Sequence, residues 1–260
     1  MRIVTWNINS IRIRIELIRS FVEKYNPDVI CFQETKVVDE AFPVGDVIGL
    51  GFPHIRYSGE KSYNGVAILS KLPIEEDFVL NFCNKDRRHL AIKVKDVEIH
   101  NFYVPAGGDE PDVDLNPKFK HKLEYLDEMN NWFLKNRDKS QNIVLLGDLN
   151  ISPLEHDVWS SRQLRNDVSH TPIEREKLIR NLNEFGFIDS SRKFVPETEK
   201  LYSWWSYRSP NWEKSDRGRR LDHIWLTPGL AEKADHHFIA KEMRGMNSPS
   251  DHVPVIISVG

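Results

Sequence analysis

The chain has 260 residues, of which 40% are hydrophobic and 29% charged, and a formal net charge of −3. These values exclude a disordered chain and a membrane protein, and they exclude general electrostatic attraction to a polyanion, so any such binding needs a local basic surface. A chain of this length can bury one large core, and a single domain over residues 1–260 is expected.

The N-terminus enters a strand-like segment directly, with no basic flank, apolar stretch or small-residue cleavage site, so nothing marks it for export. Apolar runs rich in Ile and Val read as strands at 3–6, 29–32, 66–69, 90–94, 99–104, 143–146, 221–226 and 253–259, several of them buried on both faces. Helical spacing appears at 11–25, through Ile11, Ile15, Ile18 and Val22, and at 123–135, through Leu123, Leu126, Trp132 and Phe133. Residues 105–117 combine Gly107, Gly108 and Pro111 with Asp109, Glu110, Asp112 and Asp114, which predicts an acidic surface loop. A second irregular stretch covers 206–220, and no long linker, low-complexity tract or internal repeat is present. Cys31 and Cys83 lie in or beside apolar runs, a usage that fits a reducing cytoplasm.

Several of these runs end on chemically capable residues. The first leads into Asn7, the second into Gln33-Glu34-Thr35-Lys36, the fifth carries Tyr103, and the sixth leads into Gly147-Asp148-Leu149-Asn150. Ligands collect at strand C-terminal ends in α/β sheets. The last run does the reverse, since Ser250-Asp251-His252 precedes it, and an antiparallel placement brings Asp251 and His252 to the same rim. Carboxylates with amides and one imidazole suit a hard cation such as Mg²⁺, with Glu34 and Asp251 the first-choice ligands. Two unrelated cysteines cannot build a structural zinc site, and no zinc-protease helix motif, P-loop or serine-hydrolase elbow occurs. Taken singly, Asn7 and Asn150 are ordinary turn caps, Asp222 a turn or pairing residue, Glu34 and Asp148 solvated carboxylates or helix caps, and His252 a core histidine. The set carries the argument.

The motifs Trp-Asn-Ile-Asn-Ser-Ile-Arg at 6–12, Pro-Asp-Val-Ile-Cys-Phe-Gln-Glu-Thr-Lys at 27–36, Asn-Gly-Val-Ala-Ile-Leu-Ser at 64–70, Tyr-Val-Pro at 103–105, Gly-Asp-Leu-Asn-Ile-Ser-Pro at 147–153, Ser-Trp-Trp at 203–205, Arg-Leu-Asp at 220–222 and Ser-Asp-His at 250–252 follow one another in order. With that order and spacing the sequence resembles the exonuclease III branch of the endonuclease/exonuclease/phosphatase superfamily over nearly its whole length. The resemblance implies an α/β four-layer sandwich, in which two mixed β-sheets pack face to face between helices. It implies a Mg²⁺ or Mn²⁺ site drawn from Asn7, Glu34, Asp148, Asn150, Asp251 and His252, with Glu34 the principal ligand. It also implies catalytic roles for Tyr103, Asp148, Asn150, Asp222 and His252. Either Asp148 or His252 serves as the titrating group, and the sequence leaves that choice open.

The implied substrate is double-stranded DNA with abasic sites or 3′ ends, acted on by a monomeric cytoplasmic repair enzyme. Inositol-phosphate phosphatases, sphingomyelinases and enzymes resembling deoxyribonuclease I are the alternatives in the superfamily, and a DNA-binding scaffold is the non-enzymatic one. Tyr103 followed by Val104-Pro105 favours the repair branch, because those relatives usually carry histidine there. Trp204 in Ser203-Trp204-Trp205-Ser206-Tyr207-Arg208 resembles the family's aromatic loop against an unstacked sugar, although it also reads as sheet core. Arg208, Lys214, Arg217, Arg219 and Arg220 suggest a phosphate-binding edge, and Lys36 and Asn64 are further DNA-contact candidates. Trp205, His223 and the acidic loop depart from the family's usual pattern.

Overall fold

The computed structural model describes residues 1–83 and 86–260. Its strands are β1 (Arg2–Asn7), β2 (Val29–Gln33), β3 (His54–Ser58), β4 (Val66–Ser70), β5 (Glu76–Phe78), β6 (His89–Val94), β7 (Val97–Tyr103), β8 (Ile143–Asp148), β9 (Ile188–Asp189), β10 (Trp204–Trp205), β11 (Gly218–Arg219), β12 (Asp222–Leu226), β13 (Ala234–Ile239) and β14 (Val255–Val259). Two six-stranded mixed sheets, ordered β13-β14-β1-β2-β4-β3 and β5-β6-β7-β8-β12-β9, face each other, and β10 and β11 form a separate ribbon. The expected four-layer sandwich is thus observed.

Its layering explains the unbroken apolar runs. Along β1, Ile3 enters the core between the sheets, where it joins Val29, Ile68, Ile99, Val144 and Ile257. Its neighbours Val4 and Trp6 turn outward and pack with Leu17, Ile18 and Phe21 of the helix Ile15–Tyr25. In β8, Val144 and Leu146 face the inter-sheet core, whereas Ile143 and Leu145 pack with Tyr125, Phe133, Leu178 and Phe185 of the outer helices. A strand covered on both faces reads as a nearly continuous apolar run, and the buried Thr5 within β1 is satisfied by the Gln33 amide.

The first helix was expected from residue 11 and begins at Ile15. Ser10 and Ile11 donate their backbone N–H groups to the Glu34 and Thr35 carbonyls instead, which diverts the chain along the site rim before the helix can start. The second runs over Pro117–Asn136, opened by Asn116, whose side chain accepts from the Lys118 N–H at 3.0 Å. A further helix, Pro172–Phe185, was not predicted, although Thr171 and Glu174 form a capping box and Gly186 closes it at φ 87°. Residues 105–117 contain no strand or helix before Pro117, as expected. Among the described residues no helix is long and apolar enough to cross a membrane. Cys31 and Cys83 are unpaired.

Candidate active site

Strand pairing assembles the site. β7 runs parallel to β8 and places Tyr103 opposite Asp148, while antiparallel β12 places Asp222 opposite the same residue. Gly147 allows this close approach: at φ 142° its Cα faces the Phe102 carbonyl, and a Cβ there would lie 1.9 Å from that oxygen. In the other sheet, Asn7 ends β1 opposite Gln33 of β2, and antiparallel β14 leaves Asp251 and His252 beside them. Glu34, Lys36, Asn64 and Asn150 all adopt left-handed backbone, at φ 51°, 52°, 43° and 54°. Such conformations carry strain in non-glycine residues and concentrate where side chains must be aimed.

The amide of Asn7 links the two sheets, donating to Glu34 Oε1 and Asp148 Oδ2 at 2.9 Å each. Glu34 Oε1 also accepts the Tyr103 hydroxyl at 2.8 Å, and Lys36 Nζ lies 2.7 Å from Oε2. Burial alone would raise the Glu34 pKa, but the Lys36 ammonium and the Asn7 amide together bring it below the usual range. Burial and the neighbouring Glu34 and Asp148 charges keep the Tyr103 phenol protonated well above its ordinary value. The Arg88 guanidinium lies over the Tyr103 ring, 4.8 Å from its centre, in a cation–π contact.

His252 Nδ1 lies 2.8 Å from Asp222 Oδ2, and its Nε2 lies 3.6 Å from Asp148 Oδ2. All three residues are buried. Burial opposes a charged imidazole, yet the Asp222 and Asp148 carboxylates raise the His252 pKa. Asp148 is raised by burial and by Asp222, against the opposing pull of His252. Asn150 donates its side-chain amide to the Val104 carbonyl at 2.8 Å and its backbone N–H to Asp148 Oδ1 at 3.0 Å.

Asp251 reaches the same rim with both oxygens engaged. Oδ1 accepts from Asn9 at 3.1 Å and Oδ2 from the Trp204 indole at 2.9 Å. Trp204 is half-buried in the β10–β11 ribbon, whereas Trp205 takes the core role, packed with Tyr202 and Val253. Arg208 and Arg217 are exposed, the latter with its guanidinium 4.7 Å from the Trp159 ring centre. Arg219 is half-buried and donates to the Val168 carbonyl and the Ser169 hydroxyl.

The expected basic edge needs correction at Arg220. That residue is 1% exposed and paired with Asp157 and Asp189 at 3.0 and 2.7 Å, so it braces the scaffold instead of meeting solvent. Asn64 is also buried, with its amide on Glu60, and Lys36 points to Glu34 and Asn9.

Three supporting residues were not predicted. The Ser203 hydroxyl donates to Asp222 Oδ2 at 2.6 Å and accepts the Leu221 and Asp222 backbone N–H groups at 3.0 Å. Asn9 joins Lys36 to Asp251. Lys122 is buried against Glu174 at 2.5 Å and donates to the Asn150 carbonyl at 2.8 Å, which supports the left-handed turn there. Ser203 and Asn9 belong to motifs that were noticed, at 203–205 and 6–12, but Lys122 carries no local signal.

Among the described residues, Asp148, Asp222 and His252 offer ligand atoms within 4.8 Å of one another. Asp222 Oδ1 is buried without a hydrogen-bond partner, so oxygen lone pairs remain free in the cluster. This oxygen-dominated donor set fits a hard divalent cation. Buried carboxylates, a phenol, amides and an imidazole around such a position define a metal-dependent phosphodiester hydrolase.

The chain belongs to the endonuclease/exonuclease/phosphatase family, whose model matches residues 4–252. Within that family it is similar to exodeoxyribonuclease III of Haemophilus influenzae, with 34% identity over 98% of each chain. Its fold matches an AP endonuclease from Archaeoglobus fulgidus with a TM-score of 0.93 and 33% identity, over 100% of this chain and 99% of the other. It also matches the 3′ phosphatase NExo from Neisseria bound to a product DNA hairpin, with a TM-score of 0.91 and 29% identity, over 100% and 99% of the two chains.

Proposed function

We propose that the chain is a DNA-repair nuclease that cuts 5′ to abasic sites in duplex DNA, leaving a 3′-hydroxyl, and also trims and cleans 3′ ends. It acts as a monomeric single domain over residues 1–260 in the cytoplasm, with Mg²⁺ or Mn²⁺. The observation that carries this reading is Asn7 bridging Glu34 and Asp148 while Tyr103, Asp222 and His252 converge on the same pair.

Glu34 would be the principal metal ligand, with Asn7, Asp148, Asn150 and Asp251 as the further donors available; His252, cationic beside Asp222, has no lone pair to offer an ion. The bound ion supplies charge relief on the phosphoryl oxygens. Tyr103 and Asn150 donate hydrogen bonds to phosphate oxygens, while both amide hydrogens of Asn7 stay on Glu34 and Asp148. Asp222 holds His252 in its cationic form, and Nε2, on the opposite edge of the ring from Asp222, faces the phosphate. That leaves Asp148 to take the proton from the attacking water. Trp204 at the rim lies against the unstacked abasic sugar, and Lys36, Arg208, Arg217 and Arg219 line the DNA path, with the buried Asn64 bracing the Lys36 backbone through its carbonyl.

The test is a duplex with one internal abasic analogue and a separately labelled recessed 3′ end, incubated with Mg²⁺, Mn²⁺ or EDTA, beside Glu34→Ala. Metal-dependent incision 5′ to the analogue, lost in Glu34→Ala, is expected. Folded protein that leaves both ends intact with either metal would sink the assignment.

A further inference from the structure

We propose that Lys36 is a resident counter-cation for Glu34: its ammonium keeps the metal's place on the carboxylate and moves onto Asn9 and a substrate phosphate oxygen when the ion binds. This rests on the reading of Glu34 as a metal ligand. Lys36 Nζ contacts two acceptors at once, Glu34 Oε2 at 2.7 Å and Asn9 Oδ1 at 2.6 Å. Asn9 is fixed independently of Lys36. Its backbone carbonyl accepts from the Arg14 guanidinium, outside the metal donors, and its side-chain nitrogen donates to Asp251 Oδ1 at 3.1 Å. One acceptor therefore stays in place when the other is taken.

The lysine backbone is anchored as well, since its N–H donates to the Asn64 carbonyl at 3.0 Å. Only the four-carbon stem has to swing, and the Lys36 side chain is 31% exposed, so it has room to do so. Charge supplies the reason. Glu34, Asp148, Asp222 and Asp251 surround a centre that contains one imidazole, and a mobile cation offsets their mutual repulsion until a divalent ion arrives and repels it. The displaced ammonium then lies where a polyanion is to be bound. Lys36 is in this sense a positioning residue for both metal and substrate.

The experiment is calorimetric titration of the DNA-free full chain with Mn²⁺ alone, at roughly 0.05 M and 0.3 M salt to separate contact from screened long-range charge. Lys36→Met should bind Mn²⁺ about three- to fivefold more tightly at both salt concentrations, as expected for removal of one direct ion-pair competitor. Lys36→Gln should follow it, and Asn9→Ala, which keeps the charge but removes the second acceptor, should bind more weakly than wild type. Tightening seen only at low salt, or none while Glu34→Gln still abolishes binding, overturns the proposal and leaves the ligand assignment standing. Unchanged Mn²⁺ binding in Glu34→Gln removes that assignment and the counter-cation with it.

Discussion

The Oδ2 atom of Asp222 accepts hydrogen bonds from two directions, from His252 Nδ1 at 2.8 Å and from the Ser203 hydroxyl at 2.6 Å. The imidazole is oriented by a carboxylate that is itself oriented by a buried serine. Each link gives a separate expectation.

Asp222→Asn should keep the packing and remove the charge that sustains the imidazolium. Single-turnover incision of abasic duplex should fall on the order of a hundredfold or more, the range lost with one proton-transfer or charge-stabilising group. DNA affinity should change little. A rate within threefold of wild type would show that His252 works without its partner.

Ser203→Ala removes a hydroxyl that satisfies the Leu221 and Asp222 backbone N–H groups in a fully buried position. Leaving such donors unpaired costs about 1–3 kcal/mol. Urea unfolding should therefore show a lower midpoint with an unchanged slope, together with slower cleavage from the freed Asp222. Full stability would mean that water replaces the hydroxyl.

For Trp204→Ala, binding to abasic duplex should weaken by about 1–3 kcal/mol, the scale of one aromatic stacking contact. Trp204→Phe keeps a ring but loses the indole donor to Asp251, so it should recover most of that affinity. Equal losses in the two variants would assign the effect to the Asp251 bond instead of to stacking.

Asp157 gives the clearest pH dependence away from the metal position. Burial would raise its pKa, but Arg220 and Arg192 outweigh that and hold it below the ordinary 3.8. A depressed folded pKa means that the carboxylate contributes stability above the unfolded value and loses it as pH falls through the folded value. Asp157→Asn should thus be less stable than wild type at pH 7, by about 3–5 kcal/mol for a broken buried pair. The gap between the two unfolding free energies should narrow only below about 3.8. A constant gap down to acid unfolding would contradict the linkage.

The strands with two covered faces were legible because burial on both sides gives nearly continuous apolar runs with polar residues mostly at the ends, as in β1, β2, β4 and β8. The edge strands β3 and β13 were not, because their residues are mostly half-buried or exposed and their composition is mixed. The helix Pro172–Phe185 carried its own signals at Thr171, Glu174 and Gly186, but its apolar stripe is weak because Glu174 and Asn181 are among its buried residues. The polar residues at strand ends were legible as a set, and topology brings those ends to one rim. Partnerships such as Asn9 with Asp251, 242 positions apart, become visible only once the strands are paired. His223, unusual in the sequence, proves structural: it is buried, its ring nitrogen meets the Ile151 carbonyl at 2.8 Å, and burial lowers its pKa to about 4.

The place of β1 between β2 and β14 makes this site a late product of synthesis. Asn7 emerges from the ribosome first among its groups and His252 last, and they meet only when the first strand pairs with the last. A growing or clipped chain can carry Glu34, Asp148 and Asp222 yet lack the imidazole, so the cluster is complete only once the last strand has docked on the first.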